Sequence, residues 1–215
     1  MTFVLIPGAG CTPWHWRPLT AELTRRGHDV VPVTIPWQDP EAGLTQYVDA
    51  VVEAVGDRTD LTVVGHSLGG ITAPLVCERL PVRLLVFLAG MTPRPGETVG
   101  DWWTNTGYVD PGPGDTFFHD LPTELAAEGR RQLVEVSGGG MADPWPLERF
   151  PAVPTRAVIG REDRFFPAEF LRRVTLERLG LVADEMPGAH FPMLGHPVLL
   201  ADLLESYLRA EPTGP

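Results

Sequence analysis

The chain has no lysine. All of its 17 basic residues are arginine, set against 28 acidic ones, for a formal net charge of −11. So little positive charge excludes the basic patches that nucleic acid or an anionic membrane surface would need, and neither is expected as a partner. Cysteine is nearly absent. Cys11 and Cys77 cannot make a disulfide framework and stand in no metal-type spacing, so both are read as packing residues. Long hydrophobic runs are missing too. The N-terminus opens on Phe3-Val4-Leu5-Ile6 without a basic flank, so neither a signal peptide nor a transmembrane helix is expected, and a cytoplasmic location follows by default. What remains is a 215-residue chain, 43% hydrophobic and 21% charged, which is ordinary globular composition and enough length for one domain with a full core.

Short apolar runs cut by glycine and proline predict strands at Phe3 to Ile6, Val30 to Ile35, Leu61 to Val64, Leu84 to Leu88, Thr155 to Ile159 and Ala183 to Met186. Between them lie helical stretches at Trp14 to Arg26, Leu44 to Val55, from the end of the third run to about Leu80, Ala168 to Leu179 and Val198 to Leu208. This alternation predicts right-handed βαβ crossovers in an α/β fold, a mostly parallel six-stranded sheet with helices on both faces. One segment, Met91 to Phe150, breaks the alternation. It carries a helical patch from Leu121 to Val136 and the aromatics Trp102, Trp103, Phe117, Phe118 and Trp145, too many for a disordered loop. The expectation is a single domain, 1–215, with 91–150 inserted as a cap over the strand C-termini, where open α/β sheets bind ligands.

Leu61 to Gly70 reads LTVVGHSLGG, a strand running directly into Gly65-x-Ser67-x-Gly69 and then a helix. This is the pattern of a nucleophile elbow, whose glycines allow a turn tight enough to strain the serine backbone and lift its hydroxyl above the sheet. A serine nucleophile needs a histidine base and a carboxylate to orient it, in the chain order Ser, acid, His on such a sheet. Asp163 follows the fifth predicted strand and His190 the sixth, both in loops at strand C-termini. Glu162 is an adjacent competing carboxylate, and Asp163 could instead cap the following helix or pair with Arg164. The remaining histidines have other readings. His66 is expected to point away from the chemistry, whereas His119, beside Phe118, is placed with the cap aromatics as a candidate substrate contact. Two backbone donors must hold the developing oxyanion. Ala9 N–H, in the small-residue loop Gly8-Ala9-Gly10, and Leu68 N–H, at the start of the elbow helix, are the candidates. No metal or organic cofactor is expected for this chemistry.

With Pro-Gly-Ala-Gly-x3-Trp-x-Trp at 7–16, Gly-His-Ser-Leu-Gly-Gly at 65–70, Arg-Glu-Asp-x3-Pro-x-Glu-Phe at 161–170 and Gly-Ala-His-x-x-Met-Leu-x-x-Pro at 188–197, the chain resembles the α/β-hydrolase superfamily along nearly its whole length. It is similar to the compact branch that holds plant methylesterases and hydroxynitrile lyases. The resemblance implies a cap after the fourth strand and Ser67, Asp163 and His190 as nucleophile, acid and base. It departs from the branch at Pro7-Gly8, where His-Gly is usual, which implies a different anchoring of the oxyanion loop. Hydroxynitrile lyases resemble this chain but carry a lysine after the histidine and a threonine in the oxyanion loop. Phe191 and Gly8 stand there, so cyanohydrin chemistry is excluded, and Ser67 excludes mechanisms that use an aspartate nucleophile. The expected function is a serine esterase acting on a small or medium apolar ester, with Trp102, Trp103, Phe117, Phe118, His119 and Trp145 shaping the pocket. Its rivals are a lyase or cyclase on the same fold and a ligand-binding module with a vestigial triad. Self-association into a homodimer is compatible with the sequence.

Overall fold

The computed structural model describes residues 1–210; residues 211–215 of the expected 1–215 unit lie outside the described residues. Six strands, β1 (Thr2–Ile6), β2 (Asp29–Pro32), β3 (Leu61–His66), β4 (Val82–Leu88), β5 (Thr155–Gly160) and β6 (Asp184–Met186), form one sheet in the order β2-β1-β3-β4-β5-β6. Every neighbouring pair is parallel. The helices are α1 (Arg17–Arg25), α2 (Leu44–Val55), α3 (Gly69–Cys77), α4 (Val99–Asn105), α5 (Thr123–Arg131), α6 (Ala168–Leu179), α7 (Pro192–Gly195) and α8 (Pro197–Ala210). The chain starts at β1, steps outward to β2, then crosses back to β3 and winds to the opposite edge. The direction of winding therefore reverses between β1 and β3, and the loops leaving these two strands part to open a crevice at their C-terminal ends.

Side chains alternate across each strand, so the sheet has two apolar faces. Val4, Ile6, Val63, Leu85, Phe87 and Ile159 pack under α2, α3 and α6, which contribute Val48, Val51, Ile71, Val76, Leu171 and Val174. Phe3, Leu5, Val64, Val86, Leu88 and Val158 face Leu19 and Leu23 of α1 and Leu200 and Leu204 of α8. The central strands β1, β3 and β4 are almost wholly buried, as continuous apolar runs covered on both sides must be.

Three elements differ from the sequence reading. The second strand stops at Pro32 instead of reaching Ile35; it is an edge strand, where a residue without an N–H is tolerated. The predicted helix over 121–136 is only α5, because beyond it the chain leaves the helical pattern and Val134 N–H donates to Gly10 O at 2.9 Å. Helix α4 was not anticipated, although its start is marked in the sequence: Thr98 accepts from the N–H of Asp101, whose carboxylate accepts the N–H of Thr98.

The segment between β4 and β5 is fastened to α6 by a buried ion pair. Arg178 Nη1 and Nη2 donate to the two oxygens of Glu97 at 2.5 and 2.9 Å, and both side chains are 2% exposed. Arg178 also donates to Thr92 O, while Glu97 accepts from Arg94 N–H and Asn105 Nδ2. Burial would raise the Glu97 carboxyl, but these donors outweigh it and hold the group below its ordinary value of 4.5. Removing one partner leaves an uncompensated charge in the interior. Glu97→Ala is expected to lower the unfolding free energy at pH 7 by about 3–5 kcal/mol, read from urea titrations. A depressed carboxyl stabilises the fold above its unfolded pKa and ceases to do so as pH falls through its folded pKa. The deficit of the variant should accordingly shrink below pH 4.5.

Candidate active site

The site is built where β3 ends. Ser67 has φ +51°, a left-handed conformation that a residue with a Cβ adopts only at a cost of about 1–3 kcal/mol. Its backbone is held from three sides. Ser67 N–H donates to Leu88 O at the end of β4, and Ser67 O accepts from Gly70 N–H and from Met91 N–H. A Cβ at Gly65 would lie 2.7 Å from Gly69 O, and one at Gly69 would lie 2.7 Å from Ile6 O, so both elbow glycines are required by close backbone approach. Leu68 follows as the N-cap of α3, whose first N–H groups have no partner within the helix. The loop after β1 meets the elbow directly. A Cβ at Gly8 would stand 2.9 Å from Ser67 Cβ, and Gly10 O is tied to Val134 N–H, an anchor of this loop in the segment after β4.

Ser67 Oγ lies 3.1 Å from His190 Nε2, and His190 Nδ1 lies 2.8 Å from Asp163 Oδ2. A carboxylate can only accept, so Nδ1 carries the proton and Nε2 is left to accept from the serine hydroxyl. Asp163 is itself fixed. Its Oδ1 accepts the N–H groups of Phe165 and Phe166 at 2.8 and 2.9 Å, so the carboxylate caps this turn and orients the imidazole at once. The neighbouring Glu162 turns the other way and accepts Gly188 N–H at 2.6 Å. All three linked residues are buried, and the rings of Phe117, Phe165, Phe166 and Phe191 lie 5.1–5.5 Å from the imidazole.

A cavity of about 100 Å³ opens over Ser67, with Gly8, Ala9, Leu68 and His190 at its floor. Of the aromatics placed in the pocket from the sequence, Trp103 and Phe117 line it. The other candidates stand elsewhere, and each for a polar or stacking reason. Trp102 is fully buried with its Nε1–H on Thr92 O, and Trp145 sends its Nε1–H to Ile71 O. Phe118 stacks on Phe191 at 4.6 Å, and His119 reaches outward to Glu162 O. Unanticipated lining residues are His66, Met91, Val99, Met141, Phe165 and Phe191. Cys11 also faces the cavity, and burial pushes its thiol up to about 12, so it remains a neutral, apolar wall. Among the described residues, no three His, Cys, Asp or Glu side chains are grouped so as to hold a metal ion.

The sequence model of the Alpha/beta hydrolase family matches residues 3–203. The chain belongs to that family. Similar proteins include a probable esterase of rice, PIR7A, 37% identical over 112 residues; the match covers 46% of this chain and 42% of PIR7A, less than half the length of that relative. Salicylic acid-binding protein 2 of Nicotiana tabacum is 28% identical, with 94% of this chain and 95% of that protein aligned. Among solved structures, an extracellular alpha/beta-hydrolase from a Paenibacillus species superposes with a TM-score of 0.81 at 22% identity, covering 96% of this chain and 98% of that one, a likeness of fold.

One residue of this α/β hydrolase corrects the sequence reading. His66 does not point away from the site: its Nε2–H donates to His190 O at 2.8 Å, and its ring lies 4.9 Å from that of His190. Nothing in Gly-x-Ser-x-Gly signals this, because the partner is a backbone carbonyl distant in sequence. Burial, and then the neighbouring His190, hold the His66 imidazole well below its ordinary 6.5, so it stays neutral. His15 is lowered by burial too, between Thr12 N–H and Gly129 O. The unfolded chain binds protons at 6.5 that these rings refuse in the fold, so stability is expected to fall as pH drops below 6.5. Urea titrations from pH 7.5 to about pH 5 check this. His66→Gln should make the slope shallower, and an unchanged slope would mean that His66 takes up its proton in the fold.

Proposed function

We propose that this α/β hydrolase is a serine esterase acting on small, apolar carboxylic esters. The observation that carries the reading is the continuous hydrogen-bonded line from Ser67 Oγ through His190 to Asp163, whose first two members line an apolar cavity. In the proposed reaction Ser67 Oγ attacks the ester carbonyl while His190 Nε2 takes the hydroxyl proton. The N–H groups of Ala9 and Leu68 receive the oxyanion; a donor of this kind is worth roughly 3 kcal/mol of barrier. The alcohol leaves with the proton from His190. Water, deprotonated by the same imidazole, then attacks the acyl-enzyme, and the carboxylic acid departs as Ser67 regains its proton. Asp163 holds the imidazole tautomer and stabilises its cation. The segment from 91 to 150 acts as the cap, and the cavity volume favours a short acyl group.

A fluorophosphonate probe should label Ser67 at neutral pH, and a p-nitrophenyl ester series should be hydrolysed with preference for short chains. Ser67→Ala should abolish both reactions, and Asp163→Asn should lower kcat roughly ten-thousandfold. Absence of an adduct would favour a binding module, whereas labelling without turnover of any ester would favour a lyase or cyclase. Trp103→Ala should shift the preference toward longer acyl chains, because Trp103 lines the cavity. An unchanged chain-length profile would remove Trp103 from the pocket.

A further inference from the structure

The loop that carries His190 has little regular structure of its own. It turns at Gly188, whose φ of +112° admits no other residue without strain, and a Cβ there would also run into the His196 ring. Successive backbone groups of this loop are instead held by side chains from separate parts of the chain. Gly188 N–H donates to Glu162 Oε2 at 2.6 Å, from the loop after β5. Ala189 N–H donates to Asp120 Oδ2 at 2.8 Å, from the segment between β4 and β5. His190 O accepts from His66 Nε2 at 2.8 Å, from the elbow.

We infer that His66, Asp120 and Glu162 are positioning residues that clamp the His190 loop, and that Asp120 makes the setting of the imidazole depend on the segment between β4 and β5. The carboxylates are suited to this, since an ionised acceptor strengthens the bond to a backbone N–H. For Asp120 the observation is specific. Its bond to Ala189 is its only hydrogen bond among the described residues, and its Oδ1 is buried without a partner. A group held in that way serves the His190 loop and nothing else in view. Phe117, from the same stretch, has its ring 5.3 Å from the imidazole and also walls the cavity. One short stretch of chain therefore sets a wall of the pocket and the position of the base together. A substrate large enough to displace that wall would also misplace His190 relative to Ser67, so the clamp adds size discrimination in turnover to that in binding.

The kinetic part of this inference rests on the esterase reading; the geometric part does not. The experiment compares Asp120→Ala with Asp120→Asn in the full chain, using p-nitrophenyl acetate, thermal unfolding and the downfield proton resonance of His190 Nδ1–H. Asp120→Ala should lower kcat about tenfold with KM within about twofold, and broaden the Nδ1–H resonance while the protein stays folded. Asp120→Asn keeps an oxygen acceptor for Ala189 N–H and should return kcat to within about threefold of the parent. The clamp is overturned if Asp120→Ala retains both kcat and the resonance, or if Asp120→Asn falls as far as Asp120→Ala. Should Asp120→Ala not fold, Glu162→Ala against Glu162→Gln reads the same loop from the other anchor, with the same expected pattern. A wild-type protein that does not turn over the ester would overturn the esterase reading alone, and the resonance would then decide the clamp without turnover.

Discussion

The left-handed backbone of Ser67 is the constraint around which the neighbouring structure is arranged. A serine at φ +51° persists only when its surroundings over-determine it, and here they do. The N–H of Ser67 is bonded to the end of β4, and its carbonyl is bonded both to α3 and to the chain just past β4. Because these groups must approach so closely, glycine is required at 8, 65, 69 and 70; a Cβ at Gly70 would run into Met91 O. The three strands involved, β1, β3 and β4, are the most deeply buried in the sheet, so the strain is stored against the stiffest part of the core. Two of these strands, β1 and β3, flank the reversal of winding, so the strained residue stands where the sheet opens a crevice.

Around this turn a polar line runs through an apolar shell. Ser67, His190 and Asp163 each spend their hydrogen-bonding capacity on one another or on backbone N–H groups, which is the condition for burying such groups without a large desolvation penalty. Aromatic rings surround the imidazole and keep the local dielectric low, which strengthens each of these bonds. The pronounced negative charge of the chain does not intrude. Asp163, Glu162 and Asp120 lie close to the imidazole loop, yet each is engaged by main-chain donors. The ion pair of Arg178 with Glu97 works at a different place, tying the cavity-forming segment to α6 on one side of the sheet.

Much of this was legible in the chain. Strand runs of β-branched and aliphatic residues, bounded by glycine and proline, located the sheet because burial on both faces demands continuous apolar sequence. The acid and histidine could be assigned to loops after β5 and β6 because chain order and strand ends are one-dimensional facts. The choice between Glu162 and Asp163 was harder. Adjacent residues point to opposite sides of a turn, and the structure sends Asp163 to His190 and Glu162 to Gly188. The cavity wall was the least legible part. Trp102 and Trp145 are reasonable candidates by type, but their indole N–H groups are held by Thr92 O and Ile71 O, and neither ring lines the cavity.

By itself the sequence determined the elbow, the order of the strands along the chain and the candidate Ser67, Asp163 and His190. These depend on local backbone requirements and on burial patterns that a linear text records. Only the tertiary structure decided which side chains face the cavity, that His66 turns inward to His190 O, and that Asp120 reaches Ala189. Those contacts join residues far apart in the chain, and their partners are mostly backbone groups. A backbone carbonyl or N–H carries no residue identity, so its partner leaves no mark in the sequence until the chain is folded.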